Sequence, residues 1–332
     1  MKNRMRWLLT LLLVLAAEAV LAQMRPPAFA GGVPGRAQFQ SILQQRHQAR
    51  TLLYREALEE LRKNPRAADL AACAPGVSGP CLAAASPAPS SAAAAPQTGR
   101  RIALLIGNNH YAHPIPPLET PIADVGRIAR VLEAHFGFET SVINDAGQSR
   151  IVAALNQLAA EIRPEDRVLL FYAGHGYLMD DIRMGFWIPV DASVKTAKGW
   201  ISNSDIAKLL AAIPARQLIL ISDSCFSGTL TREQKISDEQ TAQPEKILQR
   251  RSVVVLSSGD DEPVSDEGKE GHSIFAWNLI RTLEATGHLT PGVRVWRSVH
   301  ANVTKDYPQQ PQYGAVISAG HAAGGDFLFQ PR

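Results

Sequence analysis

The chain has 332 residues, 45% of them hydrophobic and 20% charged, with a formal net charge of +3. That length gives one large core plus appendages, and the composition is that of an ordinary globular protein. So small a net charge, with no basic run interleaved with aromatics, excludes nucleic-acid binding as the function.

The first residues, Lys2, Arg4 and Arg6, form a positive n-region before the apolar run Trp7–Ala17 and the small-residue exit Val20-Leu21-Ala22. Residues 1–22 therefore read as a signal peptide cleaved after Ala22, which predicts a periplasmic or secreted protein. The apolar run is short and Glu18 interrupts it, so no stable membrane insertion is expected after cleavage. Residues 23–81 read as a helical N-terminal extension. Within it, Gln38–Lys63 has helical spacing, with Ile42, Leu52, Leu53, Leu58 and Leu61 as its apolar face and Asn64-Pro65 as its stop. There are three cysteines. Export favours pairing, and Cys73 and Cys81 flank the turn-rich stretch APGVSGP, so these two are predicted to form a disulfide that leaves Cys225 odd. Residues 82–99, rich in Ala, Pro and Ser, read as a linker to a main domain over 100–332.

From Arg101 apolar strands alternate with amphipathic helices: RIALLIG, a helix from Pro121, FETSVIN, a helix from Ser149, DRVLLFYAGHG, a helix from Ser202, QLILISDSC, SVVVLSSG, and a helix at HSIFAWNLI. Ser202 and Asp205 are spaced like a capping box. Strands apolar throughout, separated by such helices, predict an α/β fold with a mostly parallel sheet flanked by helices on both faces. Thr229–Gln249 is polar and lacks a buried-strand pattern, so it is expected to be an exposed loop.

Ligands of such sheets collect beyond the carboxyl ends of the strands, where two strands here end in reactive residues, His175 and Cys225. A thiol becomes a competent nucleophile when a nearby imidazole takes its proton. Gly174 and Gly176 flank His175 and permit a tight turn, and the N–H groups of Gly176 and Cys225 are candidates for holding an oxyanion. One thiol and one imidazole without a second ligand pair make a poor metal site, and the chain has no phosphate-binding glycine motif, no serine-hydrolase elbow and no C-x-x-C. The competing expectation is a non-catalytic binding or scaffold protein of the cell envelope, tethered through its helical extension. Nothing in the sequence sets an oligomeric state.

YAGHG followed by DSCFSG resembles the caspase–metacaspase superfamily of cysteine peptidases, and its bacterial metacaspase-like branch in particular. In caspases the histidine lies about 50 residues before the cysteine, and 50 positions separate His175 from Cys225 here. The likeness extends from Arg101 to about Phe329 and includes IGNNHY, FWIPVDA and GHSIFAWNLI. It implies a caspase–hemoglobinase fold, Cys225 as nucleophile, His175 as its partner, and protein or peptide substrates. It also implies that Asp223 and Asp124 bind a basic P1 side chain, to which a carboxylate pair is suited by charge and by bidentate geometry with Arg. Phe226 stands where metacaspases usually have a second, non-catalytic histidine. No cofactor is required by the reading. The resemblance leaves calcium activation open, with Asp180, Asp181, Asp191 and the run GDDEPVSDE as the nearest carboxylates and the metal residues unknown. It also raises self-cleavage between the two halves of the domain, at Arg232, Lys235, Lys246, Arg250 or Arg251.

Overall fold

The computed structural model describes residues 36–74, 79–84, 99–179, 181–224, 230–231, 233–236, 243–259 and 268–332. Two helices come first, α1 (Arg36–Leu53) and α2 (Arg55–Lys63). The main domain then runs through β1 (Arg101–Gly107), α3 (Pro121–Val131), β2 (Glu139–Asn144), α4 (Gln148–Glu161) and β3 (Arg167–Ala173). A small antiparallel sheet follows, of β4 (Gly176–Met179), β5 (Met184–Trp187) and β6 (Ile201–Ser202). After it come α5 (Asn203–Ala212), β7 (Gln217–Asp223), β8 (Gln234–Lys235), α6 (Pro244–Leu248) and β9 (Ser252–Ser257). The chain closes with α7 (Ile274–Ala285), α8 (Gly292–Asp306) and β10 (Gln312–Ala315).

The main sheet has seven strands in the order β8-β10-β9-β7-β3-β1-β2. The five from β9 to β2 are mutually parallel, and β10 runs antiparallel to both β9 and β8. Successive side chains of a strand point to opposite faces, and both faces here are apolar. Ala103, Leu105, Leu169, Phe171, Ile219, Ile221, Val254 and Leu256 pack with α3, α7 and α8, whose core residues include Val125, Ile128, Phe275, Leu279, Val299 and Val303. Leu104, Ile106, Val168, Leu170, Leu218, Leu220, Val253 and Val255 pack on the other face with α4 and α5, through Ile151, Leu155, Ile206 and Leu210. Each such side chain taken from water contributes about 1.5–3 kcal/mol, so strands apolar at every position are what a sheet covered on both faces requires.

A third apolar cluster joins the N-terminal helices to the small sheet: Tyr54, Ala57, Leu58 and Leu61 pack on Tyr177, Met179, Phe186, Ile188 and Trp200. The inward face thus differs from the one expected, since Leu52 is 62% exposed and Ile42 only half-buried, while Ala49 and Tyr54 point in. Tyr54, at φ −92° and ψ 11°, interrupts the helical run between α1 and α2. Glu60 ties α2 down by accepting from the Thr196 hydroxyl at 2.7 Å and the Ala197 N–H at 2.8 Å. Cys73 and Cys81 form a disulfide. The chain at and just after Cys81 docks on α4, where Asn156 donates to the Cys81 carbonyl at 2.7 Å and accepts from the Ala83 N–H at 3.2 Å.

Two further local expectations change. Ser202 does cap α5, its hydroxyl accepting from Asp205 N–H at 3.1 Å, but the Asp205 carboxylate does not close a box: it accepts from Leu70 N–H at 2.9 Å and pairs with Lys208. The stretch 229–249 is not simply an exposed loop either. Lys235 sits in β8 against Gly314, and Lys246 sits in α6. Arg250 and Arg251 are fastened to the carbonyls of Ala323, and of Ala215, Ile213 and Ala319. Arg232 and the expected signal peptide lie outside the described residues. Among the described residues no helix is long and apolar enough to cross a membrane.

Candidate active site

The neighbouring parallel strands β3 and β7 bring the two motifs together. Ala173 is in register with Asp223, and Gly174 N–H donates to the Asp223 carbonyl at 3.2 Å. His175 follows Ala173 by two residues, as Cys225 follows Asp223. Cys225 itself lies outside the described residues, which end at Ser224 on this strand. Ser224 and Ser222 share a hydroxyl contact of 3.1 Å, and Trp187 Nε1–H donates to Ser222 Oγ at 3.2 Å.

His175 is held from every side. It is 3% exposed. Its Nε2 lies 2.9 Å from the Pro116 carbonyl, which can only accept, so Nε2 carries the proton and Nδ1 keeps its lone pair. Its backbone N–H donates to the Tyr111 hydroxyl at 2.8 Å, and its carbonyl accepts from the Tyr172 hydroxyl at 3.1 Å. The Tyr111 ring lies 4.6 Å from the imidazole, centroid to centroid. Burial, and next the nearby Arg50 cation, pull the His175 pKa down to about 3 against the opposing bond to Pro116. The imidazole therefore rests neutral, with its lone pair on Nδ1.

Neither Tyr111 nor Pro116 was legible as a site residue. Both sit on the loop between β1 and α3, into which the motif IGNNHY leads from the end of β1. Asn108 Oδ1 accepts from Ala146 N–H at 2.8 Å, and Asn109 Oδ1 accepts from Ile122 N–H at 2.9 Å. Asp145 accepts from the N–H groups of Asn109 and His110, and His110 Nδ1 is 2.7 Å from its second oxygen. The motif's polar residues thus pin the loop that delivers Tyr111 and Pro116 to His175.

Gly176 pairs with Trp187 in the β4–β5 ladder, while at the adjoining pair Ile188 N–H donates to the His175 carbonyl. Hydrogen-bonded and non-hydrogen-bonded pairs alternate in an antiparallel ladder, so the Gly176 N–H is turned away from β5.

Asp124 and Asp223 converge on one residue, Ser273. The Ser273 hydroxyl donates to Asp223 Oδ2 at 2.5 Å, and its N–H faces both Asp124 oxygens at 3.3 and 3.4 Å. His272 Nδ1 stands 2.7 Å from Asp124 Oδ1. Asp124 has no exposed surface, whereas Asp223 is 8% exposed. Burial and the nearby Arg127 and Arg130 lower the His272 pKa, so the ring rests neutral and donates to Asp124. Ser273 is also the N-cap of α7, accepting from Ala276 N–H at 2.9 Å. That capping role was readable from the serine before an apolar helical run, but its bond to Asp223 was not.

Of the carboxylates considered for calcium, Asp181 and Asp191 are described, and each is engaged by a different partner. Asp181 pairs with Arg62 at 2.7 Å, and Asp191 accepts from Gln148 N–H at 2.9 Å, capping α4. Asp180 and residues 260–267 lie outside the described residues, and among the described residues no group of three or more His, Cys, Asp or Glu is arranged to hold a metal.

A profile of the caspase domain matches residues 100–318. The chain belongs to the caspase-domain family. The matched region thus starts one residue before β1 and ends beyond β10, and it contains every candidate site residue of the main domain. This caspase-domain chain is similar to metacaspase-1 of Scheffersomyces stipitis, with 29% identity over 152 residues, covering 40% of this chain and 37% of that protein. It is also similar to metacaspase-1B of Aspergillus fumigatus, with 31% identity over 207 residues, covering 56% of this chain and 49% of that one. The match therefore spans less than half the length of those relatives. Caspase-1 from Spodoptera frugiperda, a solved structure, aligns with a TM-score of 0.49 and 14% identity, over 70% of this chain and 94% of that one. The family is one of cysteine peptidases.

Proposed function

We propose that this protein is a cysteine endopeptidase that cleaves after Arg or Lys with a Cys225–His175 dyad. The register of Ala173 with Asp223 on adjacent parallel strands is the observation that carries the proposal, because it starts both motifs from the same level of the sheet. The neutral His175 with its proton on Nε2 supports the next step: Nδ1 takes the Cys225 proton as sulfur attacks the scissile carbonyl carbon. The resulting oxyanion meets the outward N–H of Gly176 and that of Cys225. Collapse expels the amine, which takes the proton from His175, and leaves an acyl-enzyme. Water, deprotonated by the same Nδ1, then releases the carboxylic acid product and restores the thiol.

The Asp124–Ser273–Asp223 arrangement supports a basic P1 residue. Asp223 has the exposed edge and meets the guanidinium or ammonium group first, while Asp124 acts from behind Ser273 and His272. The Cys73–Cys81 disulfide supports export to an oxidising compartment, as structural disulfides persist there. Hydrolysis of matched peptides with Arg, Lys or Asp at P1 tests the reading. Turnover of the basic peptides alone is expected, and preferential cleavage after Asp overturns the pocket assignment.

A further inference from the structure

The helices α1 and α2 lie outside the region shared with the family, residues 100–318, yet they pack on the chain directly after His175. The contact centres on Tyr177, two residues beyond the histidine and the second residue of β4. The Thr51 hydroxyl lies 3.0 Å from the Tyr177 hydroxyl and donates its own proton to the His47 carbonyl at 3.0 Å. Tyr177 must therefore be the donor to Thr51. The His47 ring stacks on Tyr177 at 6.0 Å, and Tyr54 meets it edge-on at 5.4 Å. Tyr54 belongs to the same cluster as Tyr111, whose hydroxyl takes the His175 N–H. One turn before Tyr54, Arg50 is 7% exposed, and its charge reaches the imidazole.

We propose that the N-terminal helical segment is a working part of the catalytic site, fixing the His175 turn through His47 and Thr51 of α1 and Tyr54 at its end, all three on Tyr177. The inference rests on the peptidase reading for its kinetic arm only. These are positioning residues, since they act through His175 rather than on substrate. On α1 the buried Arg50 adds charge, and with burial it disfavours the protonated imidazole. Among the described residues, the other titratable or charged groups on the elements packed around His175 are Arg46 and His47 on α1, Tyr54, Tyr111, Tyr172 on β3, Tyr177 on β4 and Asp223 on β7.

The full-length chain tests this with four substitutions. Arg50→Gln should move the acid limb of kcat/KM, and the ring titration of His175 followed by NMR, upward by about one pH unit, because burial remains the larger cause. Arg50→Lys, which keeps the charge, should leave both where they are. Thr51→Val and Tyr177→Phe remove the clasp without touching charge, and each should lower kcat several-fold while KM and the acid limb stay put. Wild-type kcat in both folded clasp variants overturns the proposal. If neither clasp variant folds, an unshifted His175 ring titration in folded Arg50→Gln overturns it. The NMR arm needs no turnover: a shifted His175 titration in a chain that hydrolyses no peptide upholds the α1 role and removes the peptidase reading.

Discussion

Replacing Gly174 by alanine tests how tightly the His175 turn is built. A Cβ at this position would lie 2.7 Å from the Tyr111 hydroxyl, 2.9 Å from the Tyr172 hydroxyl and 3.1 Å from Tyr172 Cζ. Both hydroxyls are already committed, one taking the His175 N–H and the other donating to its carbonyl. Both sit at the ends of rigid rings, with the Tyr172 ring stacked on Trp187 at 4.1 Å. The hydroxyls must retreat by about half an ångström to reach ordinary contact. Overpacking of this kind costs about 1–3 kcal/mol, which lowers Tm by roughly 3–10 °C in a domain of this size. The imidazole moves with the turn, and kcat should fall by about 10- to 100-fold. Thermal unfolding and peptide turnover measure the two effects. Adding Tyr111→Phe removes the nearest oxygen, so the double variant should regain part of the Tm but none of the kcat, since His175 N–H then lacks its acceptor. Full kcat with Tm within about 1 °C of wild type in Gly174→Ala would refute the geometry of the turn.

A histidine held neutral by the fold makes stability depend on pH. Because the folded His175 pKa is lowered from 6.5 to about 3, the unfolded chain binds the extra proton between those values, and stability should fall by about 1.4 kcal/mol per pH unit as pH drops through that window. His175→Asn, compared with wild type in urea at several pH values, should be less steep by that amount; equal slopes would show that the ring is free to protonate. Asp223→Asn should cost basic substrates at least about tenfold in kcat/KM, on the scale of one charge-assisted hydrogen bond, and an unchanged preference for P1 Arg would remove Asp223 from the pocket. Intact mass with and without reductant should show one disulfide and one free thiol per chain, and reduction should destabilise the extension by about 2–3 kcal/mol. A bridge from Cys225 to Cys73 or Cys81 in active protein would contradict the pairing.

The central fold was readable because its strands are extreme. Val253–Leu256 and Leu218–Ile221 are fully buried on both faces, a pattern that only a covered parallel sheet satisfies. The shorter elements gave no such signal. In α8, the helical spacing of Val295, Val299 and Val303 is carried by β-branched residues, which are weak helix formers. β10 has four residues, one of them Gly314, where a Cβ would meet the Thr231 carbonyl at 2.2 Å. At the site, His175 and Asp223 stood out because each ends an apolar strand in a polar turn. Tyr111, Pro116, Ser273 and His272 act through contacts that span 50 to 148 positions of sequence. Such contacts exist only once the strands are in register, and no local pattern announces a carbonyl such as that of Pro116. The buried face of α1 was misjudged for a related reason: Leu52 points out, while Arg46 and Arg50 are buried.

The most direct test of covalent catalysis is mass spectrometry of the intact protein after exposure to a peptide with Arg at P1 and a thiol-reactive group at the scissile position. A single adduct on Cys225 is expected, abolished in Cys225→Ala and strongly slowed in a folded His175→Asn, while the same reagent with Asp at P1 should leave the chain unmodified. Labelling that spares Cys225, or proceeds at the wild-type rate without His175, would contradict the dyad.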